Sequence, residues 1–168
     1  MVGRSNVGKS SAINCLVNQK GLAKVGKTPG KTQTINFFQI ETNGPRFMLV
    51  DLPGYGFAKV PDRIQQQWAP LIETFLKSRD NLCGVIMLVD SRRVQDSDRD
   101  MLAWVDELNI PIMVVATKAD KITRGKRHDT IRELQKGLGV EIEPTFLSAY
   151  TGEGKHQVLS QLRDLLET

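Results

Sequence analysis

The sequence predicts one doubly wound α/β domain, 1–168, with a mostly parallel sheet, one antiparallel strand and helices on both faces. Three observations carry this. Short apolar runs recur along the chain with helical patterns between them. Two of the runs, Cys83 to Val89 and Ile110 to Ala116, are almost continuously apolar, as parallel strands covered on both faces must be. A glycine-containing loop, Gly3-Arg4-Ser5-Asn6-Val7-Gly8-Lys9-Ser10, runs straight into the first helical pattern. With 168 residues and 40% hydrophobic content, the chain can bury one good core and has no room for a second domain.

Each element has its own signal. Lys9 to Asn18 reads as the helix behind the loop, with Ile13, Leu16 and Val17 inward. Gly21 to Gln33, rich in Lys, Gly and Thr, reads as a mobile loop. Thr34 to Glu41 and Arg46 to Leu52 are β-rich runs around Asn43-Gly44, a hairpin turn signal, so these strands should be antiparallel. Asp62 caps a helical repeat of Ile64, Trp68, Leu71, Ile72, Phe75 and Leu76, with Pro70 as a bend. Met101, Val105 and Leu108 mark a further helix. Ile131 to Leu138 marks the next, ended by Gly137 and Gly139. Thr145 to Leu147 is a short strand, and Val158, Leu159, Leu162, Leu165 and Leu166 give a closing amphipathic helix. A loop of this kind normally follows a buried strand, yet only Met1 and Val2 precede Gly3. The first strand therefore reads as missing, its central place in the sheet vacant or filled by something else.

Composition narrows the classes. Cys15 and Cys83 lie far apart, which suits a reduced, cytoplasmic protein with buried, inert thiols better than a disulfide scaffold. No apolar run approaches a membrane span and the N-terminus has no signal-peptide core, so a soluble protein without membrane contact is expected, as a monomer. The net charge is +4, unevenly spread: Met1 to Ile40 holds no acidic residue but has Arg4, Lys9, Lys20, Lys24, Lys27 and Lys31. A face attractive to RNA phosphates and an ordinary solvated loop are both open readings. Arg124, Lys126, Arg127 and His128 form a second basic run, read as a solvated helix start. His128 and His156 have no metal-ligand spacing.

Four segments carry chemistry. In the G-x-x-x-x-G-K-S loop the glycines let consecutive N–H groups point at a β-phosphate, and the helix adds its positive N-terminus. Lys9 reaches the β- and γ-phosphates, and the Ser10 hydroxyl suits Mg2+, which takes few protein ligands beside phosphates. Asp51-Leu52-Pro53-Gly54 has the D-x-x-G form: Asp51 can hold a water on Mg2+, and the Gly54 N–H can meet the γ-phosphate and sense its loss. Thr117-Lys118-Ala119-Asp120 resembles an N-K-x-D guanine box. Asp120 can accept from both N–H groups of the guanine edge, which adenine cannot supply. The Lys118 stem can lie along the base, while Thr117, shorter than the usual Asn, is expected to lose contacts that tie the box to the phosphate loop. Leu147-Ser148-Ala149, at the end of the last strand, would offer a backbone N–H to guanine O6.

Together these segments resemble the small translation-factor-related GTPases, with the Ras-like P-loop NTPase fold. The chain is most similar to the EngB family, also called YihA or YsxC, within the TrmE-Era-EngA-EngB-septin-like superfamily. The matches are G-R-S-N-V-G-K-S-S at the start, T-P-G-K-T-Q-T-I-N-F-F at Thr28 to Phe38, D-L-P-G-Y-G at Asp51 to Gly56 and T-K-A-D at Thr117 to Asp120. The resemblance implies GTP and GDP as ligands and a bacterial GTPase that assists assembly of the large ribosomal subunit and is linked to normal cell division and septation. It also implies a first switch at Gly30, Lys31, Thr32, Gln33 and Thr34, with Thr32 as a second Mg2+ ligand. Tyr55 follows Gly54 where Ras-like enzymes place a water-orienting Gln, so slow intrinsic hydrolysis is expected. Asn6 stands where some related GTPases use Asn to help bind K+, which would accelerate turnover; a plain turn role for Asn6 is equally open.

Overall fold

A computed structural model describes residues 1–23, 35–41, 46–55, 70, 72–79 and 81–167. The elements are β1 (Val2–Gly3), α1 (Lys9–Leu16), β2 (Asn36–Ile40), β3 (Phe47–Asp51), β4 (Val85–Asp90), α2 (Asp96–Glu107), β5 (Ile112–Thr117), α3 (Arg127–Leu138), β6 (Thr145–Leu147) and α4 (Lys155–Leu166). Residues 72–77 are also helical. The parallel sheet has the order β1-β4-β5-β6, and β2 and β3 form the antiparallel pair. The predicted turn at Asn43-Gly44, the cap at Asp62 and most of the loop from Gly21 to Gln33 lie outside the described residues.

Alternation explains why β4 and β5 are apolar throughout. Val85, Met87 and Val89 of β4 and Val114 and Ala116 of β5 join one buried cluster with Phe75, Leu102, Val105 and Leu134. Ile86, Leu88, Met113 and Val115 face the other way, onto Ile13 and Leu16 of α1 and Val158 and Leu162 of α4. Each strand thus feeds two cores, so neither face can carry a polar residue until the strand ends.

The first-strand position is filled over a short stretch. Val2 and Gly3 pair in parallel with Met87 and Leu88. On the other side, Leu52 N donates to Met1 O at 3.1 Å and Met1 N donates to Val50 O, the bonding pattern of parallel neighbours. These residues bridge the β2–β3 pair to the rest of the sheet. Beyond them, between β3 and β4, lies a cavity of about 400 Å3 lined by Met48, Val50, Leu76, Val85, Ile86 and Leu165 among others.

Three expectations need correction. Cys83 precedes β4 and is exposed, and Cys15 is half-buried, so neither thiol is a buried core residue. Gly137 lies inside α3, and only Gly139, at φ 73°, ends it, in the left-handed conformation that favours glycine. The same helix starts at Arg127, four residues earlier than the apolar pattern suggests, because its first turn is polar.

Candidate functional site

Strands β4, β5 and β6 end level with one another, and their last residues build the site. Asp90 of β4 stands opposite Thr117 of β5, which stands opposite Leu147 of β6. Loops leaving the carboxyl ends of parallel strands are where ligands bind in open α/β sheets. The Gly3–Ser10 loop leaves β1 beside Leu88 and turns into α1 at Gly8, whose φ of 103° a side chain would strain. Asn6 also takes the left-handed conformation, φ 62°.

The phosphate loop and the D-x-x-G segment are stitched together. Ser5 N donates to Tyr55 O at 3.0 Å. Gly54 packs so closely that a Cβ there would stand 3.1 Å from the Ser5 backbone. The buried Lys9 Nζ donates to the buried Asp51 Oδ1, each neutralising the other. The Tyr55 hydroxyl donates to Asp98 at 2.9 Å, and Asp98, fully buried at the start of α2, also faces Arg4 Nε at 3.5 Å. Burial and the neighbouring Asp98 carboxylate push the Tyr55 phenol well above its usual range.

The guanine-box segment adjoins this loop. Thr117 Oγ1 lies 2.6 Å from Val7 O and 3.0 Å from Val89 O, so its hydroxyl reaches the phosphate loop. The expected loss of that tie is therefore wrong: Thr117 is short, but the end of β5 stands close enough for a hydroxyl to span the gap. Lys118 adds a second tie, with Nζ donating to Asn6 O at 2.8 Å and to Asp90 Oδ2 at 2.9 Å. Asp90 is also held by Arg92 through bonds of 2.9 and 2.8 Å. Burial alone would raise the Asp90 pKa, but the bonds from Arg92 and Lys118 outweigh it and hold the carboxyl far below the usual range.

Asp120 is oriented by Ser148, whose Oγ donates to Oδ1 at 2.8 Å, and this bond holds its carboxyl below the usual range. The Ser148 N–H is already given to Glu153 O at 2.9 Å, which leaves Ala149 to offer an N–H to a base. A pocket of about 430 Å3 lies between these parts, lined among others by Gly8, Ala12, Lys118, Asp120, Leu147 and Ala149. Tyr150 stands on its rim with 90% of its surface exposed.

The structure thus brings together Gly3 to Ser10, Asp51 to Gly54, Thr117 to Asp120 and Leu147 to Ala149. The first-switch residues Gly30, Lys31, Thr32, Gln33 and Thr34 lie outside the described residues, as does Trp68. Sequence reasoning missed Asp90, Asp98, Arg127 and Glu153. A carboxylate ending a buried parallel strand would have singled out Asp90; the other three depend on distant partners.

A family model described as a 50S ribosome-binding GTPase matches residues 1–118. Among curated relatives, the probable GTP-binding protein EngB of Syntrophotalea carbinolica is 47% identical over 162 residues, covering 95% of this chain and 77% of that protein. The protein of the same name from Halothermothrix orenii is 48% identical over 170 residues, covering 99% and 84%. Among solved structures, a probable GTP-binding protein engB superposes with a TM-score of 0.78 at 23% identity, over 99% of this chain and 96% of the other. Era in complex with MgGDPNP and nucleotides 1506–1542 of 16S ribosomal RNA gives a TM-score of 0.80 at 23% identity, over 98% and 54%. These structural likenesses establish the P-loop GTPase fold.

Proposed function

The chain belongs to the EngB family of GTP-binding proteins, a GTPase family, and on that premise we propose that it is a magnesium-dependent GTP switch in large ribosomal subunit assembly. Normal cell division and septation depend on this role, the protein works in the cytoplasm, and its partner is the large subunit or its rRNA. The family's description as ribosome-binding supports the partner. The observation that carries the nucleotide half of the reading is the alignment of Asp90, Thr117 and Leu147 at one sheet edge, beside the phosphate loop.

The residues fit Mg2+ by donor chemistry. The Ser10 hydroxyl has no hydrogen-bond partner among the described residues, and Asp51, at the end of β3, brings a carboxylate against Lys9 of the same loop; hard oxygen donors and few protein ligands suit this ion. Ser10 and Thr32 would hold it directly and Asp51 through water. When bound, the ion neutralises charge on the β- and γ-phosphates. Lys9 exchanges Asp51 for those phosphates. Gly54, with its backbone N–H beside the loop, meets the γ-phosphate and moves when it leaves.

Tyr55 favours a second reading for turnover. Its hydroxyl is committed to Asp98 and not offered to an attacking water. Hydrolysis by the protein alone is then slow, and at the limit the chain is a nucleotide-responsive docking module. Multiple-turnover rates with and without purified large subunits separate the two. Asn6 in a left-handed turn accounts for that residue without K+, and equal rates in KCl and NaCl would leave it at that. The test of the switch itself is co-sedimentation with large subunits. Retention with a non-hydrolysable GTP analogue and release with GDP is expected; equal retention would contradict it.

A further inference from the structure

We propose that Arg127 is a positioning residue for base recognition, clamping together the two loops that read the guanine. This rests on the proposed contact between Asp120 and the base. Arg127 opens α3, and its guanidinium carbon stands 4.8 Å from the centre of the Phe146 ring. Its Nη1 and Nη2 donate to the two oxygens of Glu153 at 2.7 and 2.9 Å. Nη2 also donates to Ala119 O at 3.1 Å. Ala119 adjoins Asp120 in one base-reading loop, while Glu153 closes the other, from Ser148 to Gly154. A planar fork can grip both partners in one geometry, which the single point charge of a lysine cannot do.

The contacts close a ring. Glu153 O accepts from Ser148 N at 2.9 Å, and Ser148 Oγ donates to Asp120 Oδ1 at 2.8 Å. From Asp120 the backbone leads back through Ala119 to Arg127. Moving the Ser148–Gly154 loop therefore turns the Asp120 carboxylate. The Arg127 side chain is only 20% exposed, and its Nε is buried without a hydrogen-bond partner among the described residues. Glu153, at 42% exposed, is held ionised by the Arg127 bonds, which lower its pKa. A pair this open adds little stability of its own, so its effect lies in fixing position.

Alignment matters because guanine presents two donors in one plane, N1–H and the 2-amino group. A turned carboxylate keeps one and loses the other, and discrimination against hypoxanthine, which lacks the amino group, falls.

The test compares GDP and IDP affinities of the full chain by calorimetry. Wild type should prefer GDP by roughly 10- to 100-fold, the worth of a hydrogen bond to a charged group. Arg127→Ala should bring the two nucleotides within about 3-fold while the protein still melts cooperatively. Glu153→Gln, which leaves Arg127 on Phe146 and Ala119, guards against misfolding and should narrow the ratio in the same direction. An unchanged ratio in both variants, with Asp120→Asn impaired for GDP, overturns the clamp alone. Asp120→Asn binding GDP as wild type does would remove the base contact itself, and the clamp with it.

Discussion

Single hydroxyls and carboxylates hold the site in register, so conservative substitutions should report on them. Thr117→Val keeps shape but removes the hydroxyl that reaches Val7 O from the end of β5. Leaving that buried carbonyl without this donor should cost about 1–3 kcal/mol, read by urea unfolding, and weaken GDP binding in the same variant. Stability unchanged within error would mean that the tie is incidental. Ser148→Ala tests the orientation of Asp120 by pH. Because the Ser148 bond lowers the Asp120 pKa, the carboxylate stays charged, and guanine affinity persists, until pH falls through that depressed value. Without the hydroxyl the loss should begin at higher pH. Coincident affinity profiles from pH 7 downward would argue that something else holds the carboxylate.

At the scale of elements, one residue in the first turn of α2 has three duties. Asp98 accepts Gln95 N at 2.9 Å, so it caps the helix, and it also takes the Tyr55 hydroxyl and faces Arg4. Asp98→Ala leaves a nearly buried guanidinium without its counter-charge, so a loss of roughly 3–5 kcal/mol is expected in chemical denaturation. A loss below about 1 kcal/mol would show that solvent reaches Arg4. The turn into α4 is equally constrained: Gly154 has φ 78°, and a Cβ there would fall 1.7 Å from Phe146 O. Gly154→Ala should therefore fail to fold or lose several kcal/mol, about what strain plus a backbone clash imposes. Elements of this kind mark the boundary of what the sequence makes legible. Unbroken apolar runs located β4 and β5, and helical apolar spacing located α4, because each carries one pattern over its own residues. Arg127 looked like part of a solvated basic run because its partners, Glu153, Phe146 and Ala119, lie in other segments.

Over the whole molecule, the fold and the phosphate and base segments were legible because local glycine and carboxylate spacing encodes them. What holds the segments together was not, since those contacts join residues up to 112 positions apart, as between Lys118 and Asn6. The site is thus an edge of the sheet locked from behind, and ligand binding should stabilise the entire domain. GDP at about 100 times its Kd should add about 2.7 kcal/mol to unfolding and raise Tm accordingly. The most direct test of the account is calorimetric titration of the folded chain with Mg·GTP and Mg·ATP, repeated on Asp120→Asn. Heat with GTP and little with ATP is expected, with loss of that preference in the variant. Equal binding of the two nucleotides by wild type, or an unaltered preference in Asp120→Asn, would contradict it.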